Sequence, residues 1–363
     1  MMNAIHSVTD KALFDALCQS RVTQNELREL FLSRGVLVSK KTAKKDLAKN
    51  FSKFTHDYYL HQKIATIFGG FLRREKTTSI VINNISDKSI IVKAANELKT
   101  EIESQDDLCH VFSDKDGIKI HITYLTTNYG KSEFNQIEKR TAVFEIESLE
   151  NGYSIRRPDN EQTSNYEMIF LGKIEDIAKK RLAEQGKNPQ DAQLDTTEIS
   201  MENIEDSAKR TEFFTQLING LDNYDLDDVT DAYIYHPKPK VIEEEDGDID
   251  TGVHISKASL KGEGVLKSEE LTSLYERGFY IWKIRWRVKS LSADQDIYEF
   301  EAQFGDPLEF KDFSYISRGV KKYKGHGIYT KNAVPLDSKK ELFFNQLIEK
   351  TAYSIIMDLN KQD

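Results

Sequence analysis

Between Gly117 and Thr126 the apolar residues Ile118, Ile120, Ile122 and Tyr124 alternate with Lys119, His121 and Thr123, the period of two of a strand with one buried face. Elsewhere the period is three to four. Ile90, Ile91, Ala94, Leu98 and Ile102 predict a core-facing helix over about 87–104. Phe343, Phe344, Leu347, Ile348, Ala352, Ile355 and Leu359 predict a broad-faced helix over 338–360, opened by a Ser338/Glu341 capping box. A hairpin is expected over 141–157, because Asn151-Gly152 is the dipeptide that a two-residue type I′ turn favours. That loop would set Glu150 opposite Tyr153 and Glu147 opposite Arg156. Helices laid against antiparallel hairpins make the fold class α+β.

Further strands are expected at 79–83, 166–172, 232–235, 253–260, 279–289 and 297–304, and further helices at 174–186, 204–221 and 268–277. Residues 187–200, around Asn188-Pro189, read as a polar linker. The expected organisation is a helical head at 1–75, a mixed α+β unit at 76–195, and an acidic helical connector with a second mixed α+β unit at 196–363. A chain of 363 residues is long enough for two or three domains, and 10% aromatic residues exclude disorder throughout. No residue-level repeat relates the two α+β units.

Charge is unevenly distributed. Residues 1–80 hold 14 Lys/Arg and 7 Asp/Glu, net +7, whereas the remainder holds 37 and 53, net -16. Contact with a polyanion should therefore come from the N-terminal part, with the acidic body offering a docking face to a basic partner. Cys18 and Cys109 are too few for a disulfide scaffold or a cysteine zinc site. The N-terminus has no basic-then-apolar signal arrangement, and no run of about 18 apolar residues occurs. A cytoplasmic protein without membrane contact is expected.

The segment 23–54 carries the most specific functional signal. Thr23 is a suitable N-cap for a first helix with Leu27, Leu30 and Phe31 on one face, and Gly35 is a stop signal. Val36, Leu37 and Val38 then form an apolar crossing, and Ser39 or Thr42 can cap a second helix. That helix would bury Ala43, Leu47, Phe51 and Phe54 and expose Lys41, Lys45, Lys49 and Lys53 as a stripe suited to a row of phosphates. A third helix is expected over 58–72, with Arg73 and Arg74 extending the basic character. The alternative is a peripheral bundle whose lysines form a solvated face.

This pattern resembles the SAP module, a helix, linker and helix unit that binds duplex DNA. Leu27, Leu30, Arg34, Gly35, Leu37, Ser39, Lys44 and Leu47 match its order of residues, over less than a tenth of the chain, although Val38-Ser39-Lys40-Lys41 lacks the usual linker glycine. The resemblance implies duplex DNA binding, mainly sequence-independent phosphate contact, through Lys40, Lys41, Lys44, Lys45, Lys49 and Lys53 with Arg73 and Arg74. So small a module needs a second surface, a protein partner or a homo-oligomer for useful affinity. Stand-alone SAP-like heads suggest a subunit of a bacterial defence or mobile-element system, phage defence included.

Two other chemistries compete. Strand 282–289 places Lys283, Arg285, Arg287 and Lys289 on one face and Trp282, Ile284, Trp286 and Val288 on the other; the cations form either a second nucleic-acid surface or a ladder pairing Arg287 with Glu299 and Arg285 with Glu301. Asp296 followed by Glu309-Phe310-Lys311 is similar to the order of a Mg-dependent PD-(D/E)xK nuclease site, although Asp306-Pro307 reverses that family's Pro-Asp order. Asp246, Asp248 and Asp250 begin like a calcium loop, but Thr251 and Lys257 stand where Gly and Glu are needed. Gly262-Glu263-Gly264 reads as a turn, the eight histidines form no HxxxH or HxH pair, and no nucleophile motif occurs. Outside the nuclease alternative no cofactor is expected. A non-enzymatic protein-interaction adaptor is the third reading.

Overall fold

The structure is a computed structural model that describes residues 8–69, 74–114, 117–130, 134, 136–237, 256–292 and 294–361. Its helices are α1 (Asp10–Cys18), α2 (Gln24–Ser33), α3 (Lys44–Phe51), α4 (Tyr58–Gly69), α5 (Lys88–Ser104), α6 (Glu161–Glu184), α7 (Ser207–Asn219), α8 (Glu269–Glu276) and α9 (Ser338–Asn360). The strands are β1 (Thr77–Ile82), β2 (Leu108–Ser113), β3 (Gly117–Thr127), β4 (Ile137–Leu149), β5 (Gly152–Pro158), β6 (Thr196–Glu198) and β7 (Tyr224–Tyr235). They continue with β8 (Lys257–Lys261), β9 (Tyr280–Ser290), β10 (Ile297–Asp306), β11 (Lys311–Lys321), β12 (Tyr323–Gly325) and β13 (Ile328–Tyr329). This is a mixed α+β fold with a large antiparallel sheet and a small helical head. None of the described helices is long and apolar enough to cross a membrane.

Two units interleave along the chain: Met1–Arg74 with Ser89–Asp114 and Ile118–Val143, and Glu75–Lys88 with Lys115–Gly117 and Phe144–Asp363. In the first, the head helices close over Leu13, Leu17, Leu27, Leu30, Phe31, Leu47, Phe51 and Ile64, and Phe134 enters the same core from far downstream. The ring of Phe134 stacks on His61 at 4.8 Å. Helix α5 buries the face its spacing predicts, and Ile118, Ile120, Ile122 and Tyr124 of β3 are buried in the expected alternation. Strand β2 pairs with β3, His110 opposite His121.

In the second unit the strands run in the order β5, β1, β11, β10, β9, β7, β8, every pair antiparallel. Helices α7 and α9 supply Phe213, Phe214, Phe344 and Ile348 to a core completed by Trp286 of β9, Phe300 and Phe304 of β10 and Phe313 of β11. Residues 187–200 are not a linker, because β6 pairs with β1, Ile80 opposite Glu198. Residues 166–172 are not a strand: Asn160 caps α6 by accepting from the Thr163 amide at 3.0 Å, and buried Thr163, Tyr166, Phe170, Ile174 and Ile177 follow helical spacing through it. Asp337, not Ser338, caps α9 by accepting from the Lys340 amide at 2.9 Å.

The hairpin is present in a different register. Leu149 pairs with Gly152 and Glu145, not Glu147, stands opposite Arg156, so the loop is Glu150-Asn151, although Glu147 still reaches the Arg156 guanidinium at 3.6 Å. Neither loop residue has a positive φ, which rules out a type I′ turn. Gly152 answers a different demand: a Cβ there would lie 1.8 Å from the Ile82 carbonyl oxygen of the neighbouring strand.

Beneath α9 a buried ion pair joins helix to sheet. Arg156 of β5 donates from Nε to Glu349 Oε1 at 2.8 Å and from Nη2 to Oε2 at 2.6 Å, and the Tyr315 hydroxyl donates to the same carboxylate. Burial lowers the Arg156 pKa, but the hydrogen bonds and charge of Glu349 raise it by more, so its net shift is upward. Glu349→Gln would remove the bidentate partner of the buried guanidinium and leave it only Glu145 at 3.3 Å and Glu147 at 3.6 Å, a change expected to remove about 3 kcal/mol of stability. Urea unfolding should show a lower midpoint with an unchanged m-value, and the double variant Arg156→Met/Glu349→Leu should recover much of the loss.

Candidate nucleic-acid interface

Helix α2 begins with a complete capping box, Thr23 Oγ1 accepting from the Glu26 amide at 3.2 Å and Glu26 accepting from the Thr23 amide at 2.6 Å. It ends where Gly35 turns left-handed at φ 74°, with Val36 N–H on Phe31 O at 3.0 Å and Gly35 N–H on Leu32 O at 2.9 Å. The chain then reverses through Ser39–Thr42, closed by Thr42 N–H on Ser39 O at 3.2 Å.

Side chains of α2 hold that turn without a glycine. The Arg28 guanidinium donates to the Lys40 carbonyl at 2.5 Å, and the Gln24 amide donates to the Thr42 carbonyl. These anchors carried no sequence signal, since Gln24 and Arg28 are ordinary polar residues of a helix surface. Val36 and Val38 pack on the head core, whereas Leu37 is 87% exposed.

Helix α3 is shorter than the sequence spacing implies, only Lys44–Phe51. Its N-cap is Ala43, which offers no side-chain acceptor, so neither Ser39 nor Thr42 caps it and Ala43 is exposed, not buried. Leu47 and Phe51 are buried, and Phe54 stands at the edge of an edge-to-face trio with Phe31 and Phe51. Lys45 and Lys49 share the exposed face, about 6 Å apart along the axis. Lys40 and Lys41 precede the helix and Lys53 follows it, so the cations form a turn-plus-helix patch instead of a stripe on one helix.

Among the described residues no carboxylate pairs with Lys40, Lys41, Lys45, Lys49 or Lys53. Lys44 differs: half-buried, it donates from Nζ to the Gln19 carbonyl at 2.5 Å and ties α3 to the end of α1. Arg74 is exposed, and Arg73 lies outside the described residues.

The β9 cations of the second unit are largely committed to the ladder. Register sets Arg287 opposite Glu299 and Arg285 opposite Glu301, as the spacing predicts. Arg285 pairs with Glu301 at 3.0 Å, whereas Arg287 turns to Asp228 at 3.1 Å and Glu299 to Lys321 at 3.1 Å. Trp286 is fully buried, and Trp282 is half-buried beside Tyr233.

The nuclease-like trio does not assemble. Asp296 precedes β10, buried and accepting from Lys322 Nζ at 2.7 Å and the Tyr323 amide at 2.9 Å. Glu309 and Lys311 follow the far end of the same strand, where Lys311 pairs with Asp306. Ten residues of strand separate them, about 30 Å, too far for one metal ion to bridge. No group of three or more His, Cys, Asp or Glu placed to hold a metal occurs among the described residues, and the acidic run 243–250 lies outside them.

No family model, curated protein or solved structure matches this chain.

Arg28→Ala removes the bond that fixes the turn, and amide exchange at residues 39–42 should accelerate while the head loses about 1 kcal/mol. Glu301 sets a second expectation. Burial pushes its carboxyl up, but the Lys283 hydrogen bond and the charges of Lys76 and Lys283 outweigh this and hold it at about 2, against 4.5 unfolded. Its contribution is therefore complete above pH 4.5 and lost as pH falls towards 2. Stability measured across that window should fall less steeply in Glu301→Gln than in the parent.

Proposed function

We propose that the N-terminal head binds duplex DNA, chiefly through sequence-independent contacts of Lys40, Lys41, Lys45, Lys49 and Lys53 with backbone phosphates. The observation that carries this reading is that these five ammonium groups have no carboxylate partner among the described residues while the turn beneath them is anchored. An unfilled cationic patch on a fixed frame neutralises phosphates with little loss of backbone freedom. The uncapped start of α3 adds the positive end of a helix dipole to the same patch. The resemblance to SAP modules points the same way. Lys44 is assigned to holding the frame, since its ammonium is bound to Gln19.

A second reading, a protein-interaction adaptor, is favoured by exposed Leu37 ahead of the turn and by Tyr59, which is 82% exposed. Titration of labelled duplex across a salt series separates the two. The intact chain should bind at low salt with a steep log–log slope, and Lys45→Glu/Lys49→Glu/Lys53→Glu should lower that slope by about 2 to 3 and weaken binding at least tenfold, roughly uniformly over sequences. Exposed substitutions of this kind leave the melting temperature close to that of the parent. Equal affinity and slope in the variant would falsify the phosphate-contact reading, and failure of the intact chain to bind duplex at low salt would favour the adaptor.

A further inference from the structure

In the second unit four cations converge on one carboxylate. Glu301 of β10, only 2% exposed, pairs with Lys76 at 3.2 Å, Lys283 at 2.9 Å, Arg285 at 3.0 Å and Arg318 at 2.8 Å. Asp231 of β7 meets Arg285 at 3.3 Å. The two carboxylates in direct contact with the four cations leave a formal surplus of two positive charges, offset in part by Asp159, which acts on Lys76 from farther off, in a chain whose residues beyond 80 carry net -16.

The surplus is concentrated on atoms still able to donate. Arg318 gives Nη1 alone to Glu301 and its side chain is 37% exposed. Lys283 is steadied over the Tyr233 ring at 4.8 Å, and Lys76 reaches the cluster from just before β1. Arg285, engaged by both carboxylates, backs the group. Burial and then the charge of Lys283 lower Lys76 to about 8, with Glu301 and, more weakly, Asp159 failing to restore it. A further anion beside Lys76 would favour its charged form.

We propose that this cluster is a binding site for a phosphate-class dianion, a phosphomonoester or pyrophosphate group, held by Lys76, Lys283 and Arg318. A singly charged carboxylate leaves half the surplus unmet, whereas a dianionic phosphate matches it and accepts several charge-assisted bonds from the guanidinium fork and the two ammonium groups. Such a group is carried by a small phosphorylated molecule or by the 5′ end of a nucleic-acid strand. The site does not depend on the head reading.

The test is calorimetric titration of the full chain with inorganic pyrophosphate. One site is expected, weakened at least about tenfold by Arg318→Gln and by Lys76→Gln. Lys321→Gln, which alters a neighbouring β11 cation, and the head triple variant should bind as the parent does. Absence of binding by the parent, or unchanged affinity in both Arg318→Gln and Lys76→Gln at parental melting temperature, overturns the proposal. If Arg318→Gln fails to fold, Lys76→Gln decides. Displacement of pyrophosphate by AMP identifies a small-molecule source, and displacement by a 5′-phosphorylated oligonucleotide a strand end. Equal displacement by the same oligonucleotide without its 5′ phosphate refutes the dianion assignment.

Discussion

The second unit depends on the bidentate pair between Arg156 and Glu349. Both side chains are buried, and the pair joins β5 to α9 while Tyr315 of β11 closes the third side. A charge taken out of water is tolerated only where its partner is in place, so this contact penalises every slipped register of β5 and every rotated setting of α9. Glu145, facing Arg156 across the hairpin at 3.3 Å, extends the same constraint to β4. The opposite face of the sheet solves its electrostatics differently. There Glu301 lies among four cations, so on one face carboxylates gather round a buried cation and on the other cations gather round a buried carboxylate.

Where periodicity is long and one-sided, the sequence was a sufficient guide. The buried face of α5, the alternation of β3 and the pairing of Arg285 with Glu301 all follow from side-chain direction alone. What failed depended on neighbours remote in sequence. Gly152 looks like a turn residue but is required by the close approach of Ile82, and the mostly apolar run at 166–172 looks like a strand until the buried positions on either side join it into α6. In the head, Leu27, Leu30, Gly35 and Phe51 were legible as core and stop signals, whereas the anchoring of the turn by Gln24 and Arg28 was not, because an exposed polar side chain does not announce a carbonyl twelve or eighteen residues away. Asp296, Glu309 and Lys311 erred the other way: order along the chain resembled a centre that the length of β10 pulls apart.

Charge follows the same division. The head lysines with no described carboxylate partner sit on a turn and a short helix whose frame is fixed by hydrogen bonds to backbone carbonyls, so their charge remains available to solvent or to a ligand. The β9 cations, with comparable composition, are mostly answered within the sheet. Local composition alone does not distinguish these two situations. What differs is whether a second strand brings carboxylates into register.

The insertion of Phe134 into the head core bears on autonomy. That ring is supplied from beyond α5, β2 and β3, so the four N-terminal helices complete their interior only after a large part of the chain has been synthesised. An excised fragment ending near residue 75 would take the Phe134 ring from beside His56 and His61 and leave a gap in the head core. The head is thus topologically dependent, and its maturation is coupled to the order in which later segments emerge.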